Sequence, residues 1–312
     1  MAVLRKDYIL DRWVIIAEKR GKRPYDFKRE KTEKKDSLDV FAPANEHLTP
    51  KEIGRIEKNG KWSIRWVPNK FAFVSNKKFL SSSKKYLQEM PAFGYHEVIV
   101  ETPNSTKQLW DMSKSEIKDI LKVYSDRIKE LSKRKNIKYV QLFKNHGKQG
   151  GTSLLHSHTQ AVAIAAIPPN IKEKLDGIKK NKLSYGTLAK RELKTKRKAI
   201  ITKHFISICP FASRFSYEIW IFPKRHYKSI TDMPDNIIMD FANIMQKILK
   251  KLKKMNCSYN FHFHYAPKGK DMLFHVEITP RIENWAGFEY STGIIVNTVA
   301  PETAAKFYRG KN

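Results

Sequence analysis

Residues 95–100 read YHEVIV, and residues 217–222 read YEIWIF. Both are aromatic and β-branched hexamers of the kind that forms buried strands. They stand in one frame: Glu97 lies 121 residues before Glu218, and Met112 lies 121 residues before Met233. A fixed internal offset signals a duplicated unit. Each strand is followed by a predicted amphipathic helix. The first, over 113–135, opens on Ser113-x-x-Glu116, a reciprocal cap for first-turn N–H groups. It sets Ile117, Ile120, Leu121, Tyr124, Ile128 and Leu131 on one face. The second, over 234–254, aligns Ile237, Ile238, Phe241, Ile244, Met245, Ile248 and Leu252, and leaves Lys250, Lys251, Lys253 and Lys254 outside. Strand-like segments then follow in pairs, 139–144 with 154–164 and 260–265 with 272–279. Each half therefore reads strand, strand, helix, strand, strand. This is an α+β order with antiparallel sheets, divided into residues 1–168 and 169–312.

The remaining composition narrows the function classes. The chain has 312 residues, 41% of them hydrophobic, enough for a substantial core. Its 61 Lys and Arg against 31 Asp and Glu give a formal charge of +30, which favours anionic ligands. These lysines are spread along the whole chain, so a nucleic-acid-binding protein is a subordinate reading. Residues 28–36 (KREKTEKKD) predict an exposed loop. Residues 171–203, with twelve Lys or Arg, predict a solvated connector with some helix. Two cysteines, Cys209 and Cys257, cannot staple a chain of this size and fit a reducing compartment. Arg5, Lys6 and Asp7 break any apolar leader over residues 1–10, and the longest apolar run, 161–167, is far short of the ~20 residues that span a bilayer. The expectation is a cytoplasmic protein with no membrane partner.

The chemistry concentrates in residues 145–160, NHGKQGGTSLLHSHTQ. On a strand His156, His158 and Gln160 share one face. An HxH pair alone reads equally well as structural or metal-binding. Before it, however, Gly147, Gly150 and Gly151 stand with Lys148, Thr152 and Ser153, offering backbone N–H groups and a cation to phosphate oxygens. This is not a Walker loop, because GxxxxGK[ST] is absent. A histidine beside a phosphate cradle can act as a nucleophile at phosphorus.

That segment resembles the active-site segment of galactose-1-phosphate uridylyltransferases, in the transferase branch of the histidine-triad superfamily. The resemblance extends through LRKDYILDRWVIIAEKRGKRP, PANEHLTP, VPNKF, HEVIVETP, CPFASRFSYEIWIFPKRH and HVEITPRIENWAGFE, almost the full chain. It implies two tandem histidine-triad-like halves. It also implies that His158 is the nucleophile, forming a nucleotidyl-histidine, and that His156 supports it. Gln160 stands where hydrolytic relatives carry a third histidine; an amide can hold a phosphoryl oxygen but cannot relay a proton. Asn145, Gly151 and Ser153 match phosphate-contacting positions, with Lys148 as a nearby cation. Asn69 and Phe71 match part of the nucleoside pocket, and Arg20 and Arg23 an arginine-bearing N-terminal segment.

In the second half FHVEI lies where LHSHT lies in the first, so that Glu277 replaces His158 after 119 residues and only one catalytic centre is expected. The family's structural zinc site is expected to be absent, because Asp39 and Ala42 replace its cysteines and Ser105 its histidine, leaving only His156. A second metal site is left open at His264, His275 and Glu277, with Glu173 or His226 as further ligands. No cofactor is required. The implied activity is transfer of UMP from UDP-glucose to galactose 1-phosphate by a uridylyltransferase of galactose metabolism, with a nucleotide sugar (UDP-glucose, UDP-galactose or an ADP-sugar) and a hexose 1-phosphate as partners, and a homodimer as the assembly. The alternative is adenylyl transfer to phosphate, by an ADP-sugar phosphorylase or a dinucleoside-tetraphosphate phosphorylase.

Overall fold

The computed structural model describes residues 3–6, 13–16, 38–74, 76 and 93–310. Arg20, Arg23 and the charge run over 28–36 lie outside the described residues. The first half supplies β1 (Val3–Lys6), β2 (Trp13–Ile16), β3 (Gly54–Lys58), β4 (Lys61–Pro68), β5 (Gly94–Val100), α1 (Lys114–Ser132), β6 (Tyr139–His146) and β7 (His158–Ile164). The second supplies α2 (Pro169–Asn181), α3 (Tyr185–Glu192), β8 (Lys198–Ile201), β9 (Phe205–Ile208), β10 (Ile219–Pro223), α4 (Asp235–Met255), β11 (Tyr259–His264), β12 (His275–Pro280), α5 (Gly287–Thr292), β13 (Ile295–Asn297) and α6 (Pro301–Arg309).

Ten of these strands make one sheet, in the order β3-β4-β5-β7-β6-β11-β12-β10-β9-β8. Read outward from the centre, β6, β7, β5, β4 and β3 are mirrored by β11, β12, β10, β9 and β8, the spatial form of the repeat. The halves meet through antiparallel β6 and β11, with Tyr259 opposite His146 and His262 opposite Phe143. They also meet in the small second sheet, where β13 runs parallel to β2. Among the described residues no helix is long and apolar enough to cross a membrane.

Both long helices lie on one face of the large sheet. Ser113 caps α1 as its sequence predicts: Oγ accepts from the Glu116 N–H at 3.2 Å, and the Glu116 carboxylate accepts from the Ser113 N–H at 2.9 Å. The helix stops at Ser132 rather than 135, while α4 ends at Asn256 in the left-handed conformation, φ 47°. Tyr124 of α1 packs on Phe261 and Phe263, and Phe241 of α4 packs on Phe263 and Phe274. The helices therefore bury the Phe261–Phe263 side of β11, and the opposite face of the sheet carries the polar site residues.

Three expectations change here. First, β7 begins at His158, so His156 sits in the turn before it. Second, the connector is ordered structure: α2 and α3 cover the polar face of the second half, and β8 extends the sheet. Third, the 121-residue offset that pairs Glu97 with Glu218 is correct for the helices but not for these strands. Glu97 faces α1 and takes a bidentate pair from Arg127 at 2.8 and 2.9 Å. Glu218 accepts from Trp220 Nε1 at 2.8 Å, on the face that Trp220 shares with Glu277, its partner across β10 and β12. An odd slip reverses the face of every side chain in a strand.

Candidate active site

His158 opens β7, opposite Val100 of β5. Its Nδ1 lies 2.8 Å from the His156 carbonyl oxygen. A carbonyl only accepts, so Nδ1 carries the proton and Nε2 presents its lone pair. No described residue hydrogen-bonds that Nε2. Phe41 packs edge-on against both His158 and His156, with centroids 5.5 and 6.0 Å away, which places the two rings on one side, as alternation predicts. Burial, reinforced by the Lys144 ammonium, pushes the His158 pKa down to about 4. The imidazole is therefore neutral at physiological pH, with one ring nitrogen protonated and the other carrying a lone pair.

His156 is committed elsewhere. Its Nδ1 meets the Asp39 carboxylate at 2.8 Å and its Nε2 meets the Thr102 carbonyl at 2.6 Å. Both nitrogens already have protein partners, so a metal or a phosphorus atom would have to displace one of them. Ala42 has no donor atom and Ser105 is exposed. Asp39, Ala42, Ser105 and His156 thus do not match a tetrahedral zinc set, which needs about four donors.

Behind His158 lies a buried charge network that no sequence motif marks. The Glu101 carboxylate accepts from Lys144 Nζ at 2.6 Å, Ser157 Oγ at 2.5 Å and Thr159 Oγ1 at 2.6 Å, and from the Tyr124 hydroxyl. Lys144 also donates to the His158 carbonyl at 2.8 Å, which fixes the backbone at His158. Burial works to raise the Glu101 pKa, but Lys144 and the hydroxyl donors hold it below the ordinary carboxylate value.

On the same face Gln160 Oε1 lies 2.8 Å from His96 Nε2, which must donate to it. Asn69 Nδ2 lies 3.0 Å from that nitrogen and 3.5 Å from Gln160 Oε1. Asn69 therefore joins the site. Phe71 does so only through its N–H, which donates to Asn69 Oδ1 at 2.8 Å; its ring is 84% exposed. Phe73, edge-on to His96 at 4.7 Å, is the aromatic that touches this cluster.

The glycine-rich loop is clamped by the second half. Asn260 of β11 donates to Asn145 Oδ1 at 2.9 Å and to the Gly150 carbonyl at 2.7 Å. Gly147 has φ +74°, and a Cβ there would lie 2.1 Å from Ser258 Oγ. Lys148, Gly151 and Ser153 stand exposed on this loop. The lysine whose charge acts on the His158 ring is Lys144.

Across the sheet, His275 opens β12 and places Nδ1 3.0 Å from the Leu273 carbonyl, two residues earlier. That is the arrangement of His158 and His156. The counterpart of His158 is therefore His275, 117 residues on, and Glu277 is the counterpart of Gln160. The 119-residue alignment is two residues out, and the reason for a single centre changes: the histidine is present, but Lys174 of α2 donates to its Nε2 at 3.0 Å. Glu173 points outward and His226 pairs with Asp271 on the surface, so neither joins this cluster.

A family model described as the galactose-1-phosphate uridyl transferase N-terminal domain matches residues 2–168, and a domain family of unknown function matches residues 94–307. An ADP-glucose phosphorylase of Arabidopsis thaliana is 32% identical over 98% of this chain and 92% of its own length. A galactose-1-phosphate uridylyltransferase of Thermotoga maritima is 27% identical over 99% of this chain and 98% of its own. The crystal structure of an Arabidopsis ADP-glucose phosphorylase with bound ADP-glucose superposes with a TM-score of 0.85 at 29% identity, covering all of both chains.

Proposed function

The chain belongs to the galactose-1-phosphate uridylyltransferase family of nucleotidyl-transferring enzymes, and from that premise we propose that it phosphorolyses an ADP-sugar through a covalent adduct on His158. The observation that carries the chemistry is a histidine lone pair that no described residue engages. His158 Nε2 is bare on a neutral ring whose other nitrogen is tied to the His156 carbonyl. Attack on the α-phosphorus forms a P–N bond and breaks the P–O bond to the sugar phosphate, which leaves with the electron pair. An oxygen of inorganic phosphate then attacks the same phosphorus, and His158 leaves unprotonated at Nε2, so that AMP becomes ADP. Gln160, held by His96 and Asn69, positions phosphoryl oxygens without supplying a proton route to water. The cradle N–H groups and Lys148 take up charge on those oxygens as the bonds change.

The adenine assignment rests on the 32% identity to the ADP-glucose phosphorylase along nearly the whole chain. A second reading, uridylyl transfer to galactose 1-phosphate, rests on the full-length likeness to the Thermotoga uridylyltransferase. Both form a nucleotidyl adduct on the same histidine, so one experiment addresses both. The protein is incubated separately with ADP-glucose and UDP-glucose labelled in the α-phosphate. ADP-glucose should leave acid-labile, base-stable label, which added phosphate discharges as ADP and which His158→Ala abolishes. Faster labelling by UDP-glucose, discharged by galactose 1-phosphate, selects the uridylyl reading. Label that survives His158→Ala overturns the nucleophile.

A further inference from the structure

His264, His275 and Glu277 bring three donor atoms within 4.8 Å of one another, all on buried side chains. Two neutral imidazoles and a carboxylate are an ordinary set for zinc. The centre of that set is filled by the chain itself. Lys174 Nζ lies 2.6 Å from His264 Nδ1 and 3.0 Å from His275 Nε2, and donates to Glu277 Oε1. An ammonium has three donors, and here it meets three acceptors. The tautomer of His275 agrees, since its Nδ1 proton is used on the Leu273 carbonyl and its Nε2 is left to accept. That carbonyl contact is also the kind of outer support that metal-bound histidines carry. Tyr185 and Trp220 place their rings 5.4 and 5.5 Å from Nζ, surroundings that favour an organic cation. Arg214 pairs with the second oxygen of Glu277 at 3.2 Å, so the carboxylate is already balanced.

We propose that Lys174 is a tethered cation filling the second half's metal-type site, so that this site takes no divalent ion while the ammonium is in place. The ammonium supplies the positive charge the donors require, and its helix, α2, delivers it across the polar face of the sheet. A free divalent ion would have to displace a positive charge that cannot leave the pocket.

The test uses the full-length protein and cobalt(II), whose visible absorption reports tetrahedral nitrogen and oxygen ligands. Wild type, after chelation and desalting, should retain no cobalt at this site. Lys174→Ala empties the centre and should bind one cobalt per chain with the tetrahedral band, and the added His264→Ala should remove it. A wild-type band that His264→Ala abolishes overturns the proposal, as does a folded Lys174→Ala protein that takes up no metal. Should Lys174→Ala fail to fold, Lys174→Glu, which offers a carboxylate in the same place, decides the matter. Its Tm should rise by about 5 °C or more with zinc and fall back with chelator, while the wild-type Tm ignores both. A Lys174→Glu protein indifferent to zinc overturns the proposal.

Discussion

The heads of β7 and β12 are the same piece of backbone used twice, and they differ in what faces the distal nitrogen. Both histidines give their Nδ1 proton to a carbonyl two residues back. At His158 no described residue hydrogen-bonds Nε2, Phe41 packs edge-on against the ring, and 8% of the residue is exposed. At His275 the helices of the connector cover the face, exposure is 0%, and Lys174 caps Nε2. A buried neutral imidazole becomes a nucleophile when its lone pair has nowhere to go, and a structural acceptor when a cation is delivered to it. The two halves thus differ here by α2 and one lysine, and not by the loss of a histidine.

Exchanging the two histidines for alanine breaks this comparison most sharply. His158→Ala should cost at least about 10⁴-fold in adduct formation, because no second base or nucleophile stands in for it, with a small change in stability. His275→Ala should do the reverse. It leaves an ammonium and a carboxylate in a buried pocket with one partner fewer, at a cost of about 2–3 kcal/mol, while adduct formation stays within a few-fold. Chemical denaturation and label incorporation on both variants read the two axes. A His275→Ala protein that is stable but unlabelled would place the second histidine in the reaction.

Next in size is the network behind β7. Glu101→Gln keeps the shape but removes the charge that balances Lys144 and accepts three hydroxyls. Losing one partner of a buried pair costs about 3–5 kcal/mol, and denaturant unfolding should register it. Glu101→Gln with Lys144→Met should recover part of that loss, because no buried charge is then left alone. A double variant worse than the single one would show that Lys144 has an independent task, holding the His158 carbonyl.

How much of this was written in the sequence differs residue by residue. The duplication was legible from the repeated order of strand-like and helical segments, and the Ser113 cap and the helix faces from local spacing. The strand registers were not. Matching letters aligned Glu97 with Glu218 and His158 with Glu277, whereas sheet pairing sets the first off by one face and the second by two residues. Lys174 was hidden for a different reason. It is one of twelve basic residues between 171 and 203, and only its position three after Ile171, on the apolar side of α2, sets it apart. Glu101 and Lys144 lie far apart in sequence, and what pairs them is the fold. His158 and Gln160 were readable because a short motif carries them whole.

The grip of the second half on the first half's loop offers a smaller effect. Gly147→Ala forces a left-handed φ of +74° on alanine and drives its Cβ to 2.1 Å from Ser258 Oγ. Strain and clash together should cost about 2–3 kcal/mol. Ser258→Gly in the same chain should relieve the clash but not the backbone strain, so recovery should be partial. Full recovery would mean the backbone accepts alanine there, and no recovery would mean the loop is not seated on β11. Thermal unfolding of the wild type and these two variants decides.

The smallest expected effect is an absence of one, in the pH dependence of adduct formation. Burial first, and the Lys144 ammonium second, push the His158 pKa down to about 4. The ring is thus neutral from pH 8 to pH 5.5, and the nucleotide sugar's pyrophosphate diester does not change charge in that range. Labelling on folded protein should stay flat there, whereas an imidazole titrating at an ordinary ~6.5 would lose about tenfold by pH 5.5. Stability should move while the rate does not. A histidine whose folded pKa is depressed binds its proton more readily unfolded, so its contribution is complete above the unfolded value of ~6.5 and is lost as pH falls toward the folded one. His262 is likewise held near about 4 and His146 near about 3, both chiefly by burial. Each of the three then costs on the order of 2 kcal/mol by pH 5, which is a large share of a typical domain's stability. Tm measured over the same buffers as the label should therefore fall steeply below pH 6.5 while the rate holds. A labelling rate that falls with a midpoint near 6.5 at constant Tm would mean that His158 titrates as an open imidazole and that its burial does not set its charge.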